Sequence, residues 1–530
     1  MKSVCRFFVM FFWTVGLLTL CSCSGFSQKE PEQKKIPVEP AVLKQQKVEK
    51  KVEPEKNVQQ EKKIPAVKPV EKPLQPPKPA VKPAEKPQPP QQPAVKPVAK
   101  PVVKTTEKNP KYVFYFIGDG MGKNHIRMAR CYYGKLNLDS FPVRASVITA
   151  NASRTTTDSA ASGTALACGV KTTNGSIGMD ASGKPVDSVA ILAKRQGKKV
   201  ALLTTVGVNN ATPAAFYAHV KHREEVQQII QQFPDTGIDI LCGYGMDVHR
   251  KHSAADYLSG KAYELPTTAA TTTAAVPAAT QKNTRVRVIN QDESEFFRLR
   301  QLTVPVLVYF NFGYEIERKK QSVRPLSAYV SKCIDLLKNH PDGFFLMAEG
   351  GKIDHAAHGN DGASMLYELK EFDNAIGIAL EFYRKYPAET LIVVTADHNT
   401  GGPVFTGNIP PHYLKVNGGL DHAYGIGKGH TLPMIRKNLC QRGWNLTEEE
   451  VQALQIADVR ASRGKNRESH LNRAIRHIID LRCGIFWSTR SHTGEDVDLF
   501  AIGCMSGKFT GRMENSEVGR KMKSLYQKGK

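Results

Sequence analysis

The sequence predicts an α/β fold with a largely parallel central sheet, helices on both of its faces and an inserted subdomain. Short apolar runs rich in β-branched and aromatic residues recur from Tyr112 to Ile502, and helix-like patterns separate several of them. Strands alternating with helices pair in parallel, because each crossover returns the chain to the same end of the sheet. The pattern breaks between Pro403 and about Asp480, which predicts an insert over one edge, residues 403–480.

Lys2 and Arg6 precede an apolar run from Phe7 to Leu20, followed by Cys21, Ser22 and Cys23. A basic start, an apolar stretch and small residues beyond it predict an export signal. The order Leu20-Cys21-Ser22-Cys23 also resembles the lipobox of bacterial lipoproteins, whose last cysteine becomes the acylated N-terminus. The favoured reading is a lipoprotein-type signal over residues 1–23 and a lipid anchor at Cys23, holding an exported protein to a membrane in the periplasm or at the cell surface. Plain cleavage is one alternative. An uncleaved helix over Phe7 to Phe26 is another, because a bilayer needs ~20 residues.

Residues 27 to 111 contain no aromatic and no glycine but 18 prolines, and Pro-Ala-Val-Lys-Pro begins at Pro65, Pro79 and Pro93. Such a chain has nothing with which to build a core and leans towards polyproline II. Residues 24–110 therefore read as a disordered spacer, with a degenerate tail as the plainer alternative. At ~3.1 Å per residue, about 80 residues reach roughly 250 Å when fully extended.

The net charge of +24 is divided unevenly. The 19 Lys and 10 Glu between Lys29 and Lys108 contribute +9, and Lys2 and Arg6 add +2, leaving +13 for the remainder. That excess suits a solvated basic surface or attraction to anionic substrates. No recognised binding motif or aromatic-rich basic patch supports a specific nucleic-acid partner. Beyond the leader seven cysteines are scattered without a CxxC pair, so at least one thiol is unpaired in a monomer.

From Lys111 to Lys530 the composition is that of a globular enzyme. Strands are predicted at Tyr112–Ile117, Val200–Thr204, Ile238–Cys242, Val304–Phe310, Phe344–Ala348, Leu391–Thr395 and Val497–Ile502. Helices are predicted at Asp187–Gln196, Leu326–Asn339 and Ser364–Lys385, and a mobile Thr/Ala-rich loop at Thr267–Thr280.

Open parallel sheets bind ligands beyond the carboxyl ends of their strands. Four predicted strands are followed there by Gly118-Asp119-Gly120-Met121-Gly122, by Asn210-Ala211-Thr212-Pro213, by Glu349 through His358, and by Ala396-Asp397-His398-Asn399. Each alone reads more readily as a turn, cap or ion pair. Together they bring at least four carboxylates and two imidazoles to one rim, which needs cations to be stable. Oxygen and imidazole donors without thiolate suit Zn²⁺, and an all-oxygen corner suits Mg²⁺. In Thr157-Asp158-Ser159, Thr157 or Asp158 can cap a helix of small residues, placing Ser159 in the first turn, where a phosphate is favoured. A helix packed tightly on the sheet would explain the alanines equally well.

The segments GDGMG, TTTDSAASGTAL with GVKTTNGSIGMD, NATPAAFYAH, EGGKIDHAAHGND, TADHNTGG and WSTRSHTGEDVDLF resemble, in order, the signatures of alkaline phosphatases from about Tyr112 to Gly503. The resemblance implies an alkaline-phosphatase-like three-layer sandwich that hydrolyses phosphate monoesters through a phosphoserine at Ser159. It implies two Zn²⁺ and one Mg²⁺: one zinc held by Asp354, His358 and His492, the second by Asp119, Asp397, His398 and Ser159, and magnesium by Asp119, Thr212 and Glu349. It places Arg223 as the phosphate clamp with Asp158 beside the substrate, and makes a homodimer an expectation. Asn210 stands where relatives often carry Asp or His, His355 where relatives vary, and Asn399 where glutamate is usual.

Rival readings rest on fewer residues. Ser140-Phe141-Pro142-Val143-Arg144 fits the short sulfatase pattern, which arises easily by chance. A phosphodiesterase or nucleotidase preference is the main alternative, because the insert could reshape the cleft. A non-catalytic surface lipoprotein is disfavoured, since all the site residues are present.

Overall fold

The computed structural model describes residues 109–246, 286–290, 292–310, 324–407, 409–410, 413, 431–441, 443–462 and 467–527. The leader with Cys23, all of the spacer before Asn109, and the Thr267–Thr280 loop lie outside the described residues. The described strands are β1 (Tyr112–Gly118), β2 (Val143–Ile148), β3 (Lys199–Thr204), β4 (Ile240–Gly243), β5 (Arg287–Ile289), β6 (Val306–Tyr309) and β7 (Phe344–Glu349). They continue with β8 (Thr390–Ala396), β9 (Asn399–Thr400), β10 (Pro403–Phe405), β11 (Ile485–Trp487), β12 (His492–Thr493), β13 (Val497–Gly503) and β14 (Gly511–Glu514).

Ten of these form one sheet in the order β14-β2-β13-β8-β1-β7-β3-β4-β6-β5. Every described pairing in it is parallel except those of β13, which runs antiparallel to β8 and β2. The fold is therefore α/β with a mostly parallel sheet, as the alternating pattern predicts. All residues of β1, β7 and β8 are buried, which explains their unbroken apolar runs: both faces are covered.

Successive side chains of a strand point to opposite faces, and β1 shows it. Phe114 and Phe116 meet Phe382 and Phe372 of the helix Gly362–Lys385, at ring separations of 5.6 and 5.8 Å. Tyr115 between them turns the other way, to Phe216. Burying each such ring contributes about 1.5–3 kcal/mol.

The predicted helices are found at Val189–Arg195, Leu326–Leu337 and Gly362–Lys385. The predicted strand at Val304 starts only at Val306, after Pro305, which has no amide to donate. Sequence reading missed β2, β5 and β14. These are short, carry polar residues and have mostly part-exposed patterns, so no apolar run marks them.

Between the antiparallel partners β10 and β11, the described residues include helices Leu432–Gln441, Glu448–Ser462 and Arg467–Arg482. Among the described residues no helix is long and apolar enough to cross a membrane.

Candidate active site

The register of β1 with its two neighbours sets the site. Ile117 is level with Glu349 of β7, and Gly118 with Ala396 of β8. Asp119 and Asp397, each one residue further on, therefore emerge side by side, with Glu349 adjacent. The turn after β1 closes tightly: Gly120, at φ +68°, donates its amide to Asp397 Oδ1 at 3.0 Å. A Cβ there would sit 2.8 Å from both Asp354 Oδ1 and Thr400 Oγ1, so both backbone angle and space require glycine.

Two groups of donor atoms lie within 4.8 Å of one another: Asp119, Asp397 and His398, and Asp354, His398 and His492. His398 Nε2 stands 3.4 Å from Asp119 Oδ1, 3.3 Å from Asp397 Oδ2 and 3.2 Å from Ser159 Oγ. His358 Nε2 lies 3.3 Å from Asp354 Oδ2 and 3.0 Å from His492 Nε2, so it also joins the second group. Asp354 and His358 share one face of the helix Lys352–His358, four residues apart.

The outer nitrogens of the three rings are all engaged. Nδ1 of His358 meets the Arg490 carbonyl, that of His492 the Thr157 carbonyl at 2.9 Å, and that of His398 the Thr400 hydroxyl at 3.1 Å. A carbonyl only accepts, so Nδ1 of His358 and His492 carries the proton and Nε2 presents its lone pair inward.

The electrostatics are those of a cation site. Burial pushes Asp119 well above the usual carboxylate range, and Asp397, Asp354 and Glu349 push it further. Burial likewise raises Asp397 and Glu349, and holds His398 well below its ordinary value. Asp119 Oδ1, Asp397 Oδ2, Glu349 Oε1 and Thr212 Oγ1 are buried without a hydrogen-bond partner. The Thr204 hydroxyl donates to Glu349 Oε2, which leaves Glu349 Oε1 and the Thr212 hydroxyl as the unpartnered pair of atoms at this corner. Buried polar atoms without partners are costly, and divalent cations suit this oxygen and imidazole set, which contains no thiolate.

Ser159 is the first residue of the helix Ser159–Cys168, whose N-cap is Asp158: Oδ1 accepts from the Ala161 amide at 2.9 Å. All ten residues of that helix are buried, so the capping and the tight-packing readings both hold. The other Asp158 oxygen accepts from the Gly175 amide at 3.0 Å and faces Arg223 Nη1 at 3.4 Å. Arg223 Nη2 faces Asn210 Oδ1 at 3.4 Å, and Asn210 also caps the short helix Ala211–Ala214 that carries Thr212. Asp158 and Asn210 thus aim the guanidinium from two sides. His355 is exposed, and Asn399 donates to Thr493 and Glu495.

Ser140 is elsewhere. It ends a 3-10 turn, donates to the Asn137 carbonyl at 2.7 Å and precedes β2, which is parallel to β8, so it lies at the opposite rim of the sheet. Sequence reasoning gave no role to Thr400, which begins no motif of its own and follows a strand end where any small polar residue reads as part of a turn. The Arg490 and Thr157 carbonyls could not have been found: any residue type supplies one.

The alkaline phosphatase family model matches residues 110–527. The chain is 30% identical to alkaline phosphatase 4 of Bacillus subtilis over 456 residues, covering 79% of this chain and 89% of that protein. It is 27% identical to an alkaline phosphatase of Schizosaccharomyces pombe, covering 79% and 82%. The solved structure of a cold-active alkaline phosphatase from a psychrophilic Shewanella species superposes with a TM-score of 0.65 at 29% identity, covering 79% of this chain and 100% of that one. A mostly parallel sheet with buried carboxylates and imidazoles at its carboxyl edge, together with these likenesses, makes this chain a member of the alkaline phosphatase family, a phosphoric monoester hydrolase.

Proposed function

We propose that the reaction passes through a phosphoserine at Ser159, assisted by two Zn²⁺ and one Mg²⁺. The observation that carries this reading is the pair of buried oxygens without hydrogen-bond partners beside His398, Asp119 Oδ1 and Asp397 Oδ2, with the Ser159 hydroxyl 3.2 Å from the same imidazole. Asp119, Asp397 and His398 would hold one zinc beside Ser159; Asp354, His358 and His492 the other; and Asp119, Thr212 and Glu349 the magnesium. Bound there, the cations supply Lewis acidity, lowering the pKa of a hydroxyl or water and offsetting phosphate charge.

The chain's own residues do the rest. The helix N-terminus sets the Ser159 oxygen against the phosphorus, and its dipole favours the anion. Arg223 grips two of the phosphate oxygens with its planar fork, held by Asp158 and Asn210. As the Ser159 hydroxyl gives up its proton to solvent and the bond from Oγ to phosphorus forms, the bond to the leaving oxygen breaks, and that oxygen takes up a proton from solvent. Water then attacks the phosphoserine, its oxygen staying on phosphorus while one of its protons passes through solvent to the departing Oγ, which restores the hydroxyl, and inorganic phosphate departs.

We further propose an exported enzyme anchored by lipid at Cys23, spaced from the membrane by residues 24–110, with residues 111–530 as catalytic domain and 403–480 as an insert. A homodimer is also proposed. The test of the metal reading is chelation followed by add-back. Activity should vanish with chelator and return with Zn²⁺ plus Mg²⁺, at two zinc and one magnesium per chain by elemental analysis. Full turnover by a preparation free of both metals would sink it.

A further inference from the structure

The edge strand β14 carries the end of the chain back to the site. Its parallel register puts Glu514 level with Ile148 of β2, so the next residue, Asn515, emerges beside Thr149 at the carboxyl edge of the sheet. Asn515 opens the helix Asn515–Ser524, which packs along the helix Ser159–Cys168. The two backbones approach closely: a Cβ on Gly519 would collide with the Ala165 carbonyl. Lys523 Nζ donates to the Cys168 carbonyl at 2.8 Å, at the negative end of the Ser159 helix.

At the positive end of that helix a chain of hydrogen bonds runs into the site. Asn515 Nδ2 donates to the Thr149 carbonyl at 3.2 Å and to Ser162 Oγ at 2.9 Å. Ser162 Oγ in turn donates to the Asp397 carbonyl at 2.6 Å. Chemistry fixes each direction. Carbonyls only accept, so the amide presents its NH₂ to Thr149, and the single Ser162 proton goes to Asp397. Thr149, Ser162, Asp397 and Asn515 are all buried, so removing a donor strands its acceptor away from water.

The Asp397 carbonyl belongs to the peptide that joins Asp397 to His398, and the amide of that peptide donates to Asp397 Oδ1 at 2.9 Å. The peptide plane is therefore held at both ends. Ser159 and Ser162, three apart on one helical face, meet its two sides: Ser159 Oγ lies 3.2 Å from His398 Nε2, and Ser162 holds the carbonyl. Ser162 thus fastens the nucleophile helix to the end of β8 one turn behind Ser159.

Resting on the phosphoserine reading above, we propose that Ser162 and Asn515 are positioning residues. They form a buried relay that fixes the Asp397–His398 peptide against the helix and so holds Ser159 Oγ in its place beside His398.

The test uses the full chain and two readouts. One is the rate of phosphoserine formation in the metal-loaded enzyme, by acid quench with a monoester. The other is the zinc affinity of the metal-free chain, by competition with a chromogenic chelator. Ser162→Ala should slow phosphoserine formation about 10- to 100-fold, because a shift of about 1 Å in a reacting group costs up to that much. It should weaken zinc binding about tenfold, as when a group that orients metal ligands is lost. Asn515→Ala should act in the same direction and less. The double variant should be no slower than Ser162→Ala, because Asn515 acts through that hydroxyl. Lys523→Gln loosens the same pair of helices away from the relay, so it should lower the denaturant midpoint and leave both readouts near native.

Unchanged readouts in Ser162→Ala overturn the relay, as do equal losses in Lys523→Gln or additive losses in the double variant. If Ser162→Ala does not fold, Asn515→Ala set against Lys523→Gln decides by the same readouts. An unsubstituted enzyme that turns over the monoester without trapped phosphoprotein removes the phosphoserine reading and the relay with it.

Discussion

The Thr400 hydroxyl donates to Asp354 Oδ1 at 2.5 Å, and Thr400 Oγ1 in turn accepts the Nδ1 proton of His398 at 3.1 Å. One buried hydroxyl therefore joins a carboxylate of one proposed metal site to an imidazole of the other. Thr400→Val keeps the shape and removes both contacts. Metal affinity should fall about 10- to 100-fold, as for other residues that orient metal ligands. Competition with a chromogenic chelator reads this without reference to turnover. Thr400→Ser should retain near-native affinity; equal affinity in the Val variant would remove the link.

Ser159 and Ser140 sit at opposite rims of the sheet, and their substitutions should differ accordingly. Ser159→Ala should abolish phosphoprotein trapped by acid quench and most of the turnover, while Ser140→Ala should leave both near native. The reverse outcome would move the chemistry to the sulfatase-like pattern around Ser140.

Arg223 can grip a terminal phosphate in pairs, whereas a diester has given one oxygen to its second substituent. Charge-assisted hydrogen bonds contribute roughly 1.5–3 kcal/mol each, so Arg223→Ala should lower monoester kcat/KM about tenfold to a hundredfold. Inhibition by inorganic phosphate should weaken in step, and any diester activity should change much less. Equal losses on both ester classes would remove the clamp and favour the diesterase alternative.

Asp480 gives a pH signature of stability. Its pKa rises from about 3.9 in the unfolded chain to about 7 in the fold, chiefly through burial, so the folded state binds the extra proton. That contribution is fully present below about pH 4 and is lost as the pH climbs through about 7, with a slope of at most ~1.4 kcal/mol per pH unit. Asp480→Asn removes the titration. Denaturant unfolding between pH 4 and 7 should show a shallower fall in stability for the variant, and parallel curves would refute the assignment.

Much of the site was legible because its rules are local. A carboxylate at the end of an apolar strand, Asp158 capping a helix that begins at Ser159, and Asp354 and His358 on one helical turn each depend only on neighbours in sequence. The same locality made β1, β7 and β8 plain, since strands buried on both faces read as unbroken apolar runs.

Tertiary structure decided what locality does not reach. The antiparallel direction of β13, the short strands β2, β5 and β14, and the seating of Arg490 against His358 depend on which distant segments pair. His492 finds its carbonyl partner in Thr157, 335 positions away, and His358 finds Arg490, 132 away. A backbone carbonyl is the same on every residue, so only the packed chain can say which one fixes an imidazole. The sequence by itself thus determined the fold class, the family and which candidate residues follow which apolar runs; the fold decided the strand order and the second layer of contacts, because long-range pairing alone brings those backbone groups within hydrogen-bond reach.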